Sequence, residues 1–115
     1  MNVDISTEKF AQGFLVKVKG DVDMNSSAGV REALNQVFKQ RSSAMTALVV
    51  DLSQVRYMDS SGIATLVEAL QNCMKQGLQL RLADLSAPVK DVFELARLAA
   101  IFEIYASLSD AMAER

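Results

Sequence analysis

The chain has 115 residues, of which 50% are hydrophobic and 23% are charged, and its formal net charge is -2. This length suits one domain over residues 1–115 with a substantial apolar core. The near-neutral charge argues against nucleic acid as a main partner, because phosphate binding needs a concentrated basic surface. No apolar run approaches the roughly 20 residues that span a bilayer, so we expect no direct membrane insertion.

The chain contains no histidine and one cysteine, Cys73. Histidine is the commonest general base and metal-ligating side chain, so its absence argues against an enzyme and against a bound transition metal. We therefore predict no catalytic residues, no metal and no cofactor. Cys73 cannot form an internal disulfide, and the first residues lack a secretory pattern, which together favour the cytoplasm.

Alternating apolar residues predict most of the strands. Residues 3–8 read as an edge strand, and residues 14–19 read as a stronger one that pairs with it antiparallel across a short turn. Residues 46–52, T-A-L-V-V-D-L, form a nearly unbroken apolar run that is typical of a central strand covered on both faces. Residues 78–83 predict a fourth strand, and residues 101–105 a short final one.

Four helices are predicted between and after these strands. The first follows a cap among residues 25–27, and the second carries apolar residues at three- and four-residue spacing from 63 to 74 before Gly77. Pro88 marks the first turn of the third helix, and residues 107–114 form the last. The order predicts an α/β fold with a mixed, mostly parallel sheet of four to five strands flanked by about four helices.

Residues 58–62, M-D-S-S-G, stand where the central strand gives way to the second helix. A hydroxyl there can accept a helix N–H group, so the plainest interpretation is a capping serine with Gly62 easing the turn. Two adjacent hydroxyls also allow one to cap the helix while the other accepts a phosphate. In that interpretation Asp59 orients the hydroxyl, and Gly62 lets the backbone of a partner come close. Spacing alone leaves both interpretations open. A nucleophilic serine is disfavoured, because no histidine or nearby lysine could act as its base.

Several segments resemble STAS domains, and most closely the bacterial anti-sigma factor antagonists of the SpoIIAA and RsbV type. They are V-V-D-L-S at 49–53, M-D-S-S-G-I-A-T-L at 58–66, G-D-V-D at 20–23, and S-A-P-V-K with F-E-L at 86–95. In the G-D-V-D segment, Asp21 takes the place of the family's glutamate. The resemblance covers nearly the whole chain and implies the STAS fold and a binding protein rather than an enzyme.

The resemblance also implies a mechanism of partner switching. Ser60 would be phosphorylated by a serine kinase that is also the anti-sigma factor, with Ser61 as the helix-capping neighbour. The unmodified chain would bind the kinase, phosphorylation would release it, and a PP2C-type phosphatase would restore Ser60. An alternative role is the STAS subunit of a lipid-transport ABC complex that binds the ATPase. A third is a scaffold module in a sensory complex, and the oligomeric state is left open.

The predicted partner-binding residues surround Ser60. The turn after the second strand would provide an acidic rim for basic residues of the kinase, with an apolar contact from its methionine, although a solvated turn is the plainer interpretation. Thr65, one helical turn after Ser61, is expected to lie off the buried stripe. Scattered basic residues such as Arg81 are expected on the solvated surface. The full partner-binding set is Asp21, Asp23, Met24, Met58, Asp59, Ser61, Gly62 and Thr65.

Overall fold

The computed structural model describes residues 3–113. The strands are β1 (Val3–Phe10), β2 (Gly13–Gly20), β3 (Ala47–Gln54), β4 (Gln79–Ala83) and β5 (Glu103–Tyr105). The helices are α1 (Ser27–Lys39), α2 (Ser60–Gln76), α3 (Ala87–Leu95) and α4 (Leu108–Met112). These elements confirm the predicted α/β fold, and Glu114 of the predicted last helix lies outside the described residues. Within residues 3–113, no helix is both long and apolar enough to cross a membrane.

The five strands form one sheet in the order β1-β2-β3-β4-β5. As predicted, β1 pairs with β2 antiparallel, while the other three neighbouring pairs are parallel. Parallel neighbours end at the same edge of a sheet. The segments that follow β2 and β3 therefore leave the sheet side by side, which places residues 21–26 near residues 55–62.

Both faces of the central strand are covered, as its apolar run predicts. Alternate residues of β3 point to opposite faces, and Val49 and Val50 are both fully buried. Val50 belongs to the main core beneath α1, α2 and α3, whereas Val49 packs with Ala111 of α4 on the other face. Cys73 lies in the main core, and burial raises the pKa of its thiol to about 12, so the thiol stays protonated and packs as a small apolar group.

Arg81 is only 1% exposed, so the expectation that it is solvated is wrong. It lies on β4, a strand with neighbours on both sides, under the part of the sheet that α4 covers. Its Nη1 donates to Gln12 Oε1 at 2.8 Å and to the Ala111 carbonyl at 3.0 Å, and its Nη2 donates to Gln79 Oε1 at 2.7 Å. The guanidinium thus joins the last helix to the sheet, a contact that strand periodicity does not indicate.

Candidate functional site

An isolated parallel bridge between Val22 and Met58 joins the segments that follow β2 and β3. The Val22 N–H donates to the Tyr57 carbonyl at 3.0 Å, and the Asp59 N–H donates to the Val22 carbonyl at 3.1 Å. Both bridging side chains are buried, at 2% and 3% exposure. The bridge holds the turn at residues 21–26 against the start of α2.

Gly62 of α2 lies directly against this bridge. A Cβ added there would lie 2.6 Å from Met58 Cγ and 2.8 Å from Val22 Cγ1. The position therefore excludes any side chain, because atoms of this chain already fill the space. The interpretation that Gly62 admits a partner's backbone is wrong, since the close approach is internal.

Asp59, and not Ser61, caps α2. Its Oδ1 accepts the Ser61 N–H at 2.9 Å, the Ser61 hydroxyl at 2.5 Å and the Gly62 N–H at 3.4 Å. Asp59 has extended backbone angles, whereas both serines already belong to the helix. The aspartate side chain can therefore fold over the first turn and accept these N–H groups, as an N-cap residue does. The hydrogen bond from the Ser61 hydroxyl is the largest cause that holds the pKa of Asp59 below its usual value. Hydrogen bonds from backbone N–H groups lower it further.

The two serines of the pair differ in environment. Ser60 is the first residue of α2 and is exposed, and within residues 3–113 its hydroxyl makes no hydrogen bond. The Ser61 hydroxyl instead donates inward to Asp59. The prediction that Ser60 faces out while Ser61 belongs to the helix start agrees with this geometry, although the cap itself was assigned to the wrong residue.

Thr65 is 2% exposed, so its predicted place off the buried stripe is wrong. Its Oγ1 donates to the Ser61 carbonyl at 2.9 Å and accepts from Arg31 Nη2 at 3.4 Å. Arg31 also forms an ion pair with Glu68 at 3.2 Å. Because α1 packs along this flank of α2, Thr65 supports the helix start from beneath.

The turn at residues 21–26 is organised by its own side chains. Asp23 Oδ1 accepts the N–H groups of Asn25 and Ser26 at 2.9 and 3.1 Å. The buried Ser26 hydroxyl donates to the Asp21 carbonyl at 2.7 Å, so Ser26 precedes α1 without capping it through its side chain. This fixed turn presents Met24 at its tip with 81% of its surface exposed.

One continuous surface surrounds the free hydroxyl. We call it the switch surface, and its members are Asp21, Asp23, Met24, Tyr57, Asp59, Ser60 and Ser61. Tyr57 was not predicted, although it is 52% exposed and aromatic residues are enriched at interfaces. Burial leaves Met58, Gly62 and Thr65 no surface to offer a partner, so direct contact is not expected of these three predicted residues.

The family model of the STAS domain matches residues 4–111. The chain belongs to the STAS domain family. A relative named anti-sigma-B factor antagonist from Listeria monocytogenes is 31% identical over 90% of each chain. Another, named anti-sigma F factor antagonist from Paenibacillus polymyxa, is 25% identical over 99% of this chain and 96% of the relative.

Solved structures show the same fold. An anti-sigma factor antagonist from Mycobacterium paratuberculosis superposes with a TM-score of 0.84 at 24% identity, covering 95% of this chain and 90% of that one. The Bacillus cell fate determinant SpoIIAA in its phosphorylated form gives 0.70 at 17% identity, covering 94% and 96%. At these identities the likeness is one of fold.

Replacing Gly62 with alanine should destabilise this STAS domain. The new methyl group would overlap Met58 and Val22, and overpacking of this kind costs about 1–3 kcal/mol of unfolding free energy. Urea unfolding of Gly62→Ala measures the loss. Ser60→Ala, in the same helical turn but exposed, is the control and should stay within about 0.5 kcal/mol of wild type. Equal stability of the two variants would contradict the packing described above.

The Asp59 cap should make stability depend on pH in the acid range. Its pKa is lower in the folded state, so its stabilisation is complete above the unfolded pKa of about 3.9 and is lost as the pH falls through the lower folded value. Urea unfolding from pH 7 to pH 2.5 should show the advantage of wild type over Asp59→Asn shrinking on acidification. This decrease in the stability difference should be larger than the decrease measured between wild type and Asp91→Asn, a charge-matched variant on α3. An advantage that grows on acidification would contradict the assignment.

Proposed function

We propose that this STAS domain is an anti-sigma factor antagonist that works by partner switching. Its unmodified form binds a serine kinase that is also an anti-sigma factor, and phosphorylation of Ser60 releases it. The observation that carries the proposal is the exposed Ser60 hydroxyl, which makes no hydrogen bond within residues 3–113 and stands on a rigid helix start. The names of the curated relatives, anti-sigma factor antagonists, support the same role.

The switch surface has the chemistry of a binding face. Met24 and Tyr57 supply exposed apolar area, and methionine and aromatic residues are enriched at interfaces. Asp21, Asp23 and Asp59 add negative charge around them, which suits a partner patch with basic residues. The proposed partner is therefore a kinase surface with an apolar centre and a basic border.

Phosphorylation would act on this interface and not on the fold. The Ser60 hydroxyl has no hydrogen bond among residues 3–113 to lose, so modification would leave the described contacts in place. The phosphate adds about -1.5 to -2 charges to a surface that already carries three carboxylates. In a packed interface, a loss of about 3–4 kcal/mol weakens binding by two to three decades. A PP2C-type phosphatase would then return the chain to its binding form.

Incubation with the candidate kinase and MgATP tests the chemistry. Intact mass should rise by about 80 Da, one phosphate, for wild type and for Ser61→Ala, and should not rise for Ser60→Ala. Calorimetry should show that Ser60→Ala still binds the kinase and that the phosphorylated chain binds at least about 100-fold more weakly. A mass gain that persists in Ser60→Ala, or kinase binding by Ser60→Asp as tight as wild type, would refute the mechanism. Stable co-purification with an ATPase and a permease, without modification, would instead support the transporter role.

Two exposed methionines provide a matched test of the binding surface. Met24 lies on the switch surface and is 81% exposed, whereas Met74 lies near the far end of α2 and is 73% exposed. Met24→Ala should weaken kinase binding about tenfold, the loss of about 1.4 kcal/mol expected of an interface contact. Met74→Ala should bind as wild type does, and both should unfold at the same urea concentration. Equal binding by the two variants would place the interface elsewhere.

A further inference from the structure

Most of the backbone donors at the start of α2 are already occupied. A helix begins with four N–H groups that lack helical partners, and these normally attract anions. Here the four are those of Asp59, Ser60, Ser61 and Gly62: Asp59 donates to the Val22 carbonyl at 3.1 Å, and Ser61 and Gly62 donate to Asp59 Oδ1 at 2.9 and 3.4 Å. Of the four groups, only the Ser60 N–H has no acceptor within residues 3–113. The chain thus fills its own anion position with a carboxylate.

We propose that Asp59 keeps the phosphate of modified Ser60 off the N–H groups of Ser61 and Gly62 and leaves it facing solvent. This inference rests on the proposed phosphorylation of Ser60. A phosphate on that hydroxyl could bind the Ser61 and Gly62 N–H groups only by displacing the Asp59 carboxylate, which leaves it at most the N–H group of Ser60 itself. The phosphate therefore stays open to a phosphatase, and its charge stays available to repel the kinase. Asp59 acts as a positioning residue for the phosphate.

The surrounding charges fit this assignment. The adjoining segments carry the charged residues Asp21, Asp23, Arg31, Arg56, Asp59 and Glu68. The Arg31 guanidinium is held by Glu68 and Thr65, and Asp23 is bonded within its own turn. Arg56 is exposed and makes no ion pair among residues 3–113, so it is the cation to exclude by experiment.

Phosphoserine placed at position 60 during translation tests the inference without any kinase. Titration followed by phosphorus NMR should give a second phosphate pKa above the value of about 6 for free phosphoserine, because the Asp59 carboxylate repels the dianion. Asp59→Asn keeps an acceptor at the cap and removes the charge, so that pKa should fall by about half a unit or more. Asp91→Asn, the charge-matched control on α3, should leave it unchanged.

Asp59→Gly tests the occupied donors separately, since glycine is tolerated at a helix N-cap. In this variant the phosphate should bind the freed Ser61 and Gly62 N–H groups. Their amide proton shifts should then follow the phosphate titration, and phosphorylation should raise the melting temperature. In wild type the same amide shifts should stay constant, and phosphorylation should not raise the melting temperature.

Three results would overturn the inference. They are wild-type amide shifts at Ser61 and Gly62 that follow the phosphate titration, a wild-type phosphate pKa below that of free phosphoserine, and a melting temperature raised by phosphorylation of wild type. If the wild-type phosphate pKa is below that of free phosphoserine and Arg56→Gln restores the free value, Arg56 is the phosphate's ligand instead. If no kinase modifies Ser60, the proposed function fails, and these measurements still report on Asp59 because the phosphate is installed independently.

Discussion

The geometry of the site depends on the bridge between Val22 and Met58. Two backbone hydrogen bonds and two buried side chains hold the segments after β2 and β3 together beyond the regular sheet. Gly62 lets α2 start directly on this bridge, because a side chain there would overlap both residues. Without that contact the turn carrying Met24 and the hydroxyl of Ser60 would not share one surface. The parallel order of β2 and β3 is what makes the bridge possible.

The electrostatics of the site are centred on Asp59. The carboxylate supplies the cap, orders Ser61, and uses the donors that would otherwise attract an anion. The adjacent serines therefore have different chemistry: the Ser61 hydroxyl donates to Asp59, whereas the Ser60 hydroxyl makes no hydrogen bond in the part of the chain that the structure describes. In this arrangement the proposed phosphorylation of Ser60 would add charge to the surface and leave the described hydrogen bonds intact, so its effect would fall on binding.

Beneath the surface, the scaffold is stiffened by polar contacts between distant parts of the chain. Arg31 of α1 bonds to Thr65, which bonds to the Ser61 carbonyl, so α1 braces the first turn of α2. On the opposite face of the sheet, Arg81 ties α4 to β4 and to Gln12. The contacts of Arg31 and Thr65 restrict the helix start on its inner side and leave its outer side for a partner.

The sequence by itself determined the order and type of the elements, the antiparallel first pair, the Gly77 helix end and the M-D-S-S-G motif at the start of α2. These features follow from local periodicity and from the conformational limits of glycine and proline, which act over a few residues. Only the tertiary structure decided that Asp59 caps α2, that Thr65 and Gly62 face inward, and that Arg81 is buried. The cap depends on the backbone angles of residue 59. The burial of the other three depends on α1, Val22 and α4, which lie far away in the sequence and are brought near only by folding.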